Sequence, residues 1–293
     1  MIKIKRLVDC TIADAVTAWN DGFEGYFVDA TTTPEKFLTR MVMEDLSPAL
    51  SIIAFENNRP IGIVMNGVRM DHSKKVAWNG GTGVSKDYRG KGIGKLLIES
   101  TLSILQKENV SIATLEAISE NTVAISVYKK KGYLVEDTVE FLNLNGKQKQ
   151  NLIGEVKRKF TVERVALQQI GQLPFYKSTN PWQTRWQSAK SGEGLLVKEE
   201  NGDVLGYAYY KKNYNDQGVH TGTTMYQCEA KPERVDAEEI IYQLIGCVFG
   251  DFTDNINRTV PNLPMNKSKK TYSALRKIGF ETTAQQVYMV KEI

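Results

Sequence analysis

Three short segments of this chain recur, in the same order, in its second half. They are TTTPEKFLTR at 31–40, NNRPIGIVMN at 57–66 and SVYKKKGY at 126–133, which resemble STNPWQTRWQ at 178–187, NGDVLGYAYY at 201–210 and SALRKIGF at 273–280. Gly62 precedes Gly132 by 70 positions, and Gly206 precedes Gly279 by 73. Matches in one order at nearly equal spacing predict a duplicated domain.

We place the two domains at residues 1–150 and 151–293. The junction falls in the polar stretch GKQKQNLIGEVKRK at 146–159, and domain boundaries favour exposed polar linkers of this kind. A chain of 293 residues is long enough for two domains that each bury a hydrophobic core.

Hydropathy patterns in the first half predict the order strand, two helices, three strands, helix, strand, helix and strand. The segments are MIKIKRLV, TIADAVTAWNDGF, TTTPEKFLTRMVMED, the two strands of LSIIAFENNRPIGIVMNGVRM, KVAWNGGTGVS, the stretch from Ile93, IATLEAI, TVAISVYKKKGY and EFLNLNG. Thr11 or Asp14 should begin the first helix, and Pro34 suits the first turn of the second. Gly132 should end the last helix.

Composition and charge exclude several classes of function. A net charge of +4 is too small to indicate a nucleic acid or an anionic membrane as partner, and no apolar run reaches the ~18–20 residues of a membrane span. Cys10, Cys228 and Cys247 stand far apart and only two histidines occur, so neither a disulfide framework nor a zinc spacing is present. We expect a cytoplasmic protein with no metal and no nucleic-acid or membrane partner.

The stretch YRGKGIGKLL at 88–97 has the character of a phosphate-binding loop. A Walker A loop is excluded, because Arg89 stands where a glycine is needed and Leu96 where Ser or Thr is needed. A dinucleotide fingerprint is excluded because Lys95 replaces its third glycine. The remaining interpretation is a strand followed by Arg-Gly-x-Gly-x-Gly and then by a helix from about Ile93. The first amides of that helix could hold a pyrophosphate without a metal. Taken alone, the stretch also fits a glycine-rich turn with solvated basic side chains.

Two motifs at the right separation resemble the GNAT superfamily of acetyl-CoA-dependent N-acetyltransferases. In GTGVSKDYRGKGIGKLLIE, Arg89, Gly92 and Gly94 fall on the family's acyl-CoA loop, Arg/Gln-x-x-Gly-x-Gly/Ala. In LEAISENTVAISVYKKKGY, all five places of Asn-x-x-Ala-x-x-x-Tyr-x-x-x-Gly-aromatic are matched, by Asn121, Ala124, Tyr128, Gly132 and Tyr133. The resemblance covers residues 1 to about 146, and it implies an α/β (α+β) fold of two tandem GNAT-like domains, each a mixed, mostly antiparallel sheet flanked by helices.

The resemblance implies acetyl-CoA as co-substrate and a set of residues that bind it. These are Thr82, Gly83, Val84, Arg89, Gly90, Lys91, Gly92, Ile93, Gly94, Lys95, Asn121 and Tyr128. The backbone of Thr82–Val84 should bond the pantetheine arm, and an amide near Thr82 should face the thioester carbonyl as an oxyanion donor. Tyr128 should protonate the departing thiolate; a simpler interpretation of Tyr128 is an aromatic side chain packed near the end of a helix. For Asn121, the simpler interpretation is a helix cap.

The acceptor amine has a pKa near ~10 and must lose a proton before it attacks. Glu116, on the strand before the second motif, is one candidate for this base. Four further candidates border the acceptor side in the family, namely Glu24, Tyr26, Asp71 and His72.

The second half has lost the features that carry the chemistry. No Arg-Gly-x-Gly follows GTTMYQCEAKPERVDAEEIIYQLIGCVFG, and Leu275 takes the place of Tyr128. We therefore expect a degenerate, non-catalytic domain, which either replaces a dimer partner or walls the acceptor pocket, in a monomer or a homodimer. The predicted function is direct transfer of an acetyl group to a primary amine of a small molecule or peptide. A non-catalytic acyl-CoA sensor and an acyltransferase for longer acyl-CoA remain as alternatives.

Overall fold

The structure is a computed structural model that describes residues 1–71, 73–148 and 160–293. The described chain forms two compact units, Met1–Glu136 with Val287–Ile293, and Asp137–Gln286. The predicted boundary between residues 150 and 151 lies outside the described residues and stays a prediction, as does any role of His72. Within the described ranges, no helix is both long and apolar enough to cross a membrane.

Twelve strands and seven α-helices are formed by the described residues. The strands are β1 Ile2–Arg6, β2 Ile52–Glu56, β3 Arg59–Asp71, β4 Lys74–Val84, β5 Ile112–Ile118, β6 Leu134–Asn145, β7 Thr161–Val165, β8 Glu193–Lys198, β9 Val204–Tyr214, β10 His220–Ala230, β11 Asn257–Pro264 and β12 Glu281–Glu292. The helices are α1 Ile12–Phe23, α2 Pro34–Met43, α3 Ile93–Lys107, α4 Thr122–Lys130, α5 Leu167–Gly171, α6 Ala237–Phe249 and α7 Lys269–Ile278.

The first unit contains a sheet in the order β1-β2-β3-β4-β5, followed by the end of β12. Pairs from β1 to β4 are antiparallel, and β4 pairs with β5 in parallel. Met289, from the last strand of the chain, is fully buried in this unit's core beside α3 residues such as Leu97. The first unit is therefore completed by a segment that lies about 150 residues further along the chain than its other elements.

Local signals set the ends of the first unit's helices as predicted. Thr11 caps α1 in a capping box with Asp14, whose side chain accepts from the Thr11 amide at 3.1 Å. Thr33 caps α2, and Pro34 occupies its first turn. Gly132 follows α4 with φ of +83°, a left-handed conformation that favours glycine.

The glycines of β4 allow α1 to pack closely against the strand. A Cβ added to Gly81 would lie 2.7 Å from the Trp19 ring, and one added to Gly83 would lie 3.1 Å from the Cα of Gly22. The glycines of NGGTGV are thus a requirement of packing between a helix and a strand, because side chains at these places would overlap α1.

Gly81→Ala is expected to lower the free energy of unfolding by about 1–3 kcal/mol, because the new methyl group must displace the Trp19 ring. Urea unfolding followed by circular dichroism measures this difference. Gly94→Ala is the matched control, since its Cβ would meet nothing nearer than Val84 at 3.9 Å. An equal loss of stability in both variants would contradict this account of α1 packing.

The second unit contains a sheet in the order β6-β11-β10-β9-β8-β7. The repeat at 201–210 lies largely in β9 and the repeat at 273–280 in α7, as the duplication predicts. The segment 178–187, which repeats the start of α2, instead forms 3-10 turns at Trp182–Thr184 and Trp186–Ser188. Its backbone groups bond to side chains of the sheet: the Thr184 carbonyl accepts from Tyr209 at 2.5 Å. These side-chain bonds replace the ladder of a regular helix.

Candidate active site

The parallel strands β4 and β5 separate partway along their length. They pair only where Val76–Asn79 lies beside Ile112–Leu115. Beyond that point β4 continues to Val84 along β3, and among the described residues Gly80–Val84 has no pair on β5; this gap in pairing between the two strands is called the opening. Backbone groups on such a free edge can pair with an extended chain of amides. The structure thus places the predicted residues Thr82, Gly83 and Val84 at this opening.

A bulge in β4 lies at the point of separation. Asn79 and Gly81 face the consecutive β3 residues Asn66 and Met65, so Gly80 is an extra residue in β4. A bulge of this kind re-aims the residues that follow it. The Asn79 side chain stabilises the bulge, because its Oδ1 accepts from the Gly81 amide at 3.0 Å.

The glycine loop after β4 forms a cradle at the start of α3. Gly90 and Gly92 have φ of +74° and +83°, and a Cβ on either would meet open space. Gly92 is the residue before α3, and among the described residues no side chain caps that helix. The first amides of α3, from Ile93 through Gly94 to Lys95, are therefore available to an anion at the positive end of the helix dipole. This geometry fits a pyrophosphate.

The basic side chains around the cradle are engaged to different degrees. The Arg89 guanidinium donates from Nε to the Val84 carbonyl at 2.9 Å, and from Nη2 to the carbonyls of Gly22 at 3.1 Å and Glu24 at 2.8 Å. It ties the loop to the end of α1, and its predicted contact with acetyl-CoA stays a prediction. The exposed Lys91 ammonium lies over the Tyr88 ring, 5.5 Å from its centroid, while Lys95 is exposed on α3.

Tyr128 projects from α4 into the first unit's core beside the opening. Burial raises the pKa of its phenol to about 12; a hydrogen bond with the Thr82 side chain lowers that pKa, and nearby Tyr26 raises it. The phenol therefore keeps its proton at neutral pH. The Tyr133 ring packs edge-on against it, with centroids 5.8 Å apart. Asn121 caps α4, as its plainer interpretation predicted, with Oδ1 accepting from the Ala124 amide at 3.1 Å.

The candidate bases differ in where the structure places them. Glu116 lies on β5 beyond the last pair with β4, and its Oε2 accepts from the Trp78 indole at 2.7 Å. Tyr26, in the loop after α1, contacts Asn121, and burial raises the pKa of its phenol. Asp71 faces Lys74 at the other end of the β3–β4 hairpin, about 26 Å along the strand from Thr82. The structure therefore brings Glu116 and Tyr26 to the site and leaves Asp71 away from it.

The second unit repeats the bulge and the separation of strands. In β10 the extra residue is Tyr226, and β10 pairs with β11 only over Gly222–Thr224. Gln227 and Glu229 stand where the first unit has Gly81 and Gly83. Gln227 donates to the carbonyls of two residues in the segment before β8, at 3.1 and 3.3 Å. Side chains thus stand at two positions of β10 whose counterparts in β4 are glycines packed against α1.

Residues 15–133 match the Acetyltransferase (GNAT) family, and the chain carries a domain of that family. The N-alpha-acetyltransferase 30 of Saccharomyces cerevisiae is 34% identical over 95 residues, which are 30% of this chain and 53% of the yeast protein. The match thus spans about half the length of that relative.

Solved structures match along the whole chain. A tandem GNAT protein from the clavulanic acid biosynthesis pathway has a TM-score of 0.61 at 10% identity, over 100% of this chain and 98% of its own. The GCN5-related glucosamine N-acetyltransferase region of a fungal multi-domain beta-N-acetylglucosaminidase has a TM-score of 0.69 at 15% identity, over 99% of this chain and 38% of its own. These likenesses show the fold, and the predicted α/β fold of tandem GNAT-like halves is confirmed.

Proposed function

We propose that this chain is an acetyl-CoA-dependent N-acetyltransferase whose working site lies in the first unit. The observation that carries the proposal is the strand separation of β4 and β5, flanked by the cradle at Gly92 and the buried phenol of Tyr128. The cradle suits the pyrophosphate, the edge of Thr82–Val84 suits the pantetheine amides, and the phenol suits protonation of a thiolate. The described residues hold no cluster of three or more metal-ligating side chains.

The proposed reaction needs a neutral amine and a proton for the leaving sulfur. As the amine attacks, an amide of the free β4 edge near Thr82 would stabilise charge on the thioester oxygen. Tyr128 would donate its proton to the sulfur as the carbon–sulfur bond breaks. Glu116 remains the proposed base, acting on the amine directly or through water, since it lies on β5 where the opening begins.

We propose a primary amine as the acceptor, and a peptide N-terminus as the class to test first. The support is the sequence match to an N-alpha-acetyltransferase within the same domain. A small-molecule amine is the competing class. In both cases the acceptor would approach from the α1 side of β4, where Tyr26 and Phe27 lie in the loop that Arg89 holds through Glu24.

Release of coenzyme A thiol across a panel of amines tests this proposal. The panel contains peptides with free and with blocked N-termini, polyamines and amino sugars. We expect thiol release with free amines only, with mass spectrometry placing the acetyl group on the α-nitrogen of a peptide. Binding of acetyl-CoA without turnover of any amine would instead establish a sensor. Preference for a longer acyl-CoA in a competition experiment would show that the acyl donor is not acetyl-CoA.

Calorimetry with acetyl-CoA is expected to give one bound molecule per chain. The second unit has no Arg-Gly-x-Gly loop in its sequence, and Gln227 and Glu229 fill the places of two glycines. Two equivalent molecules per chain would contradict a single working site. If acetyl-CoA bound to the second unit alone, the Gly92→Asp variant would bind it with unchanged affinity.

A further inference from the structure

Trp78 pairs with Thr114 one residue before the last β4–β5 pair, and only 3% of its surface is exposed. Its indole Nε1 donates to Oε2 of Glu116 at 2.7 Å. Glu116 follows Thr114 by two positions, so its side chain lies on the same face of the sheet as Trp78. Sequence reasoning did not single out Trp78, although a tryptophan just before Asn79-Gly80-Gly81 in a buried strand was a visible signal.

The indole of Trp78 packs against the bulge in β4. A Cβ added to Gly80 would lie 2.7 Å from Trp78 Cζ3 and 3.0 Å from Leu46 Cδ2, so glycine at this place leaves room for the ring. The Gly80 carbonyl accepts from Nη2 of Arg40 at 2.6 Å, which ties the bulge to α2. The ring is therefore held against a fixed stretch of backbone, and this packing fixes the direction of its N–H group.

The bond between indole and carboxylate has one direction. An indole N–H group can donate but cannot accept, and a donor of this kind favours the charged form of a carboxylate. The charged form is the one that a general base must have before it takes a proton. Because the indole holds Oε2 of Glu116, the direction of the other carboxylate oxygen, Oε1, is fixed as well.

The second unit provides an internal comparison, because strand pairing shows which of its residues correspond to this arrangement. Counting from the bulge and from the parallel pairs gives the residues that take the places of Trp78, Gly80 and Glu116, which are Thr224, Tyr226 and Pro261. The second unit keeps the bulge and the parallel pairing although the indole, the glycine and the carboxylate are all replaced. The sheet therefore does not need these three groups for its own geometry.

We propose that Trp78 is a positioning residue that acts through Glu116, whose carboxylate it holds in the direction from which the acceptor amine loses its proton. The inference rests on the function proposed above. A base contributes to the rate only when its oxygen lies within hydrogen-bond reach of the proton that it takes, directly or through one water. A fixed direction of the carboxylate therefore raises kcat, because less of the alignment has to be reached by chance.

The proton transfers balance in the following order. Glu116 takes one proton from the ammonium form of the acceptor and becomes neutral, and the lone pair freed on nitrogen forms the bond to the thioester carbon. The electron pair of the broken carbon–sulfur bond goes to sulfur, which takes the proton of Tyr128. The second proton that the nitrogen loses restores the phenol, and Glu116 returns to its charged form by giving its proton to water.

A double-mutant cycle between Trp78→Phe and Glu116→Gln tests the proposal. Trp78→Phe removes the indole N–H group and keeps an aromatic ring in the core. We expect it to lower kcat about 10-fold in the wild-type background and less than about 2-fold in the Glu116→Gln background, because no base is left to position there. The Kd of acetyl-CoA should change less than about 2-fold in all of these variants.

Trp19→Phe is the matched control. The Trp19 indole is also buried and donates at 2.8 Å, but to the Ala30 carbonyl rather than to a carboxylate. Any loss of kcat from Trp19→Phe should therefore be equal in the wild-type and Glu116→Gln backgrounds. Equal losses from Trp78→Phe in both backgrounds would overturn the inference while leaving the proposed function intact. Absence of turnover by the wild-type protein would instead overturn the proposed function.

NMR of the indole N–H groups gives a second readout that needs no turnover. The chain has four tryptophans, and the resonance that disappears in Trp78→Phe is that of Trp78. We expect this resonance to move in Glu116→Ala, and also in Gly80→Ala, whose new methyl group displaces the ring and should lower kcat as Trp78→Phe does. An unchanged resonance in folded Glu116→Ala protein would overturn the inference, as would a resonance that moves in Gly80→Ala while kcat stays at the wild-type value.

Discussion

Replacing Tyr128 with phenylalanine is expected to lower kcat by about 100-fold or more, with little change in the affinity for acetyl-CoA. The substitution removes only the phenol oxygen, and the ring still packs against Tyr133. Since the pKa of the phenol is raised to about 12, Tyr128 carries its proton throughout the neutral range and can serve as a donor. Without it, the thiolate must leave unprotonated or take its proton from water.

Steady-state kinetics and calorimetry together measure this effect, because a group used only in the transition state changes kcat and leaves binding intact. Tyr133→Phe is the matched control: it removes a phenol oxygen from the neighbouring buried ring. Its kcat should stay within about 2-fold of wild type. Comparable activity in Tyr128→Phe and wild-type protein would remove Tyr128 as the proton donor.

Gly92→Asp is expected to weaken acetyl-CoA binding by about 100-fold or more. Gly92 directly precedes α3, in the left-handed region that aspartate tolerates better than most residues. Its new Cβ would meet no atom within 4 Å, so the fold should survive. The carboxylate would then occupy the first-turn amides and repel a phosphate there. A loss of 100-fold corresponds to about 2.7 kcal/mol, which is the size of one or two charge-assisted hydrogen bonds.

Calorimetric titration with acetyl-CoA measures this loss directly. Gly218→Asp is the control, since Gly218 also has a positive φ, of +75°, with open space around its Cβ, and lies in the second unit. It should match Gly92→Asp in backbone strain and leave acetyl-CoA affinity unchanged. Binding that survives Gly92→Asp would show that the glycine loop is not the pyrophosphate cradle.

Much of the fold was predictable from short stretches of sequence. The caps Thr11 and Thr33, the terminating Gly132 and the helix from Ile93 are signals that act within a few residues. The glycine loop is also a local signal, because glycine residues can adopt the positive φ angles that this loop needs. Strand β6 begins at Leu134, six positions before the predicted stretch.

Other features depend on pairings between distant segments. The assignment of Val287–Ile293 to the first unit could not be read from its composition, because the partner of a strand is chosen by the whole sheet. Segment 178–187 also depends on distant residues. It resembles the start of α2, but its backbone carbonyls accept hydrogen bonds from side chains such as Tyr209 and Gln227.

The sequence by itself determined the duplication, the order of elements, the glycine loop and the motif that carries Tyr128, because these depend on local spacing and on residue type. Only the tertiary structure decided where β4 leaves β5, that the Arg89 guanidinium binds three carbonyls, and that the Asn79 side chain bonds to both Gly81 and Thr82. The physical reason is strand register: a shift of one residue turns each side chain to the opposite face. Register is set by the packing of the whole sheet, and no short stretch encodes it.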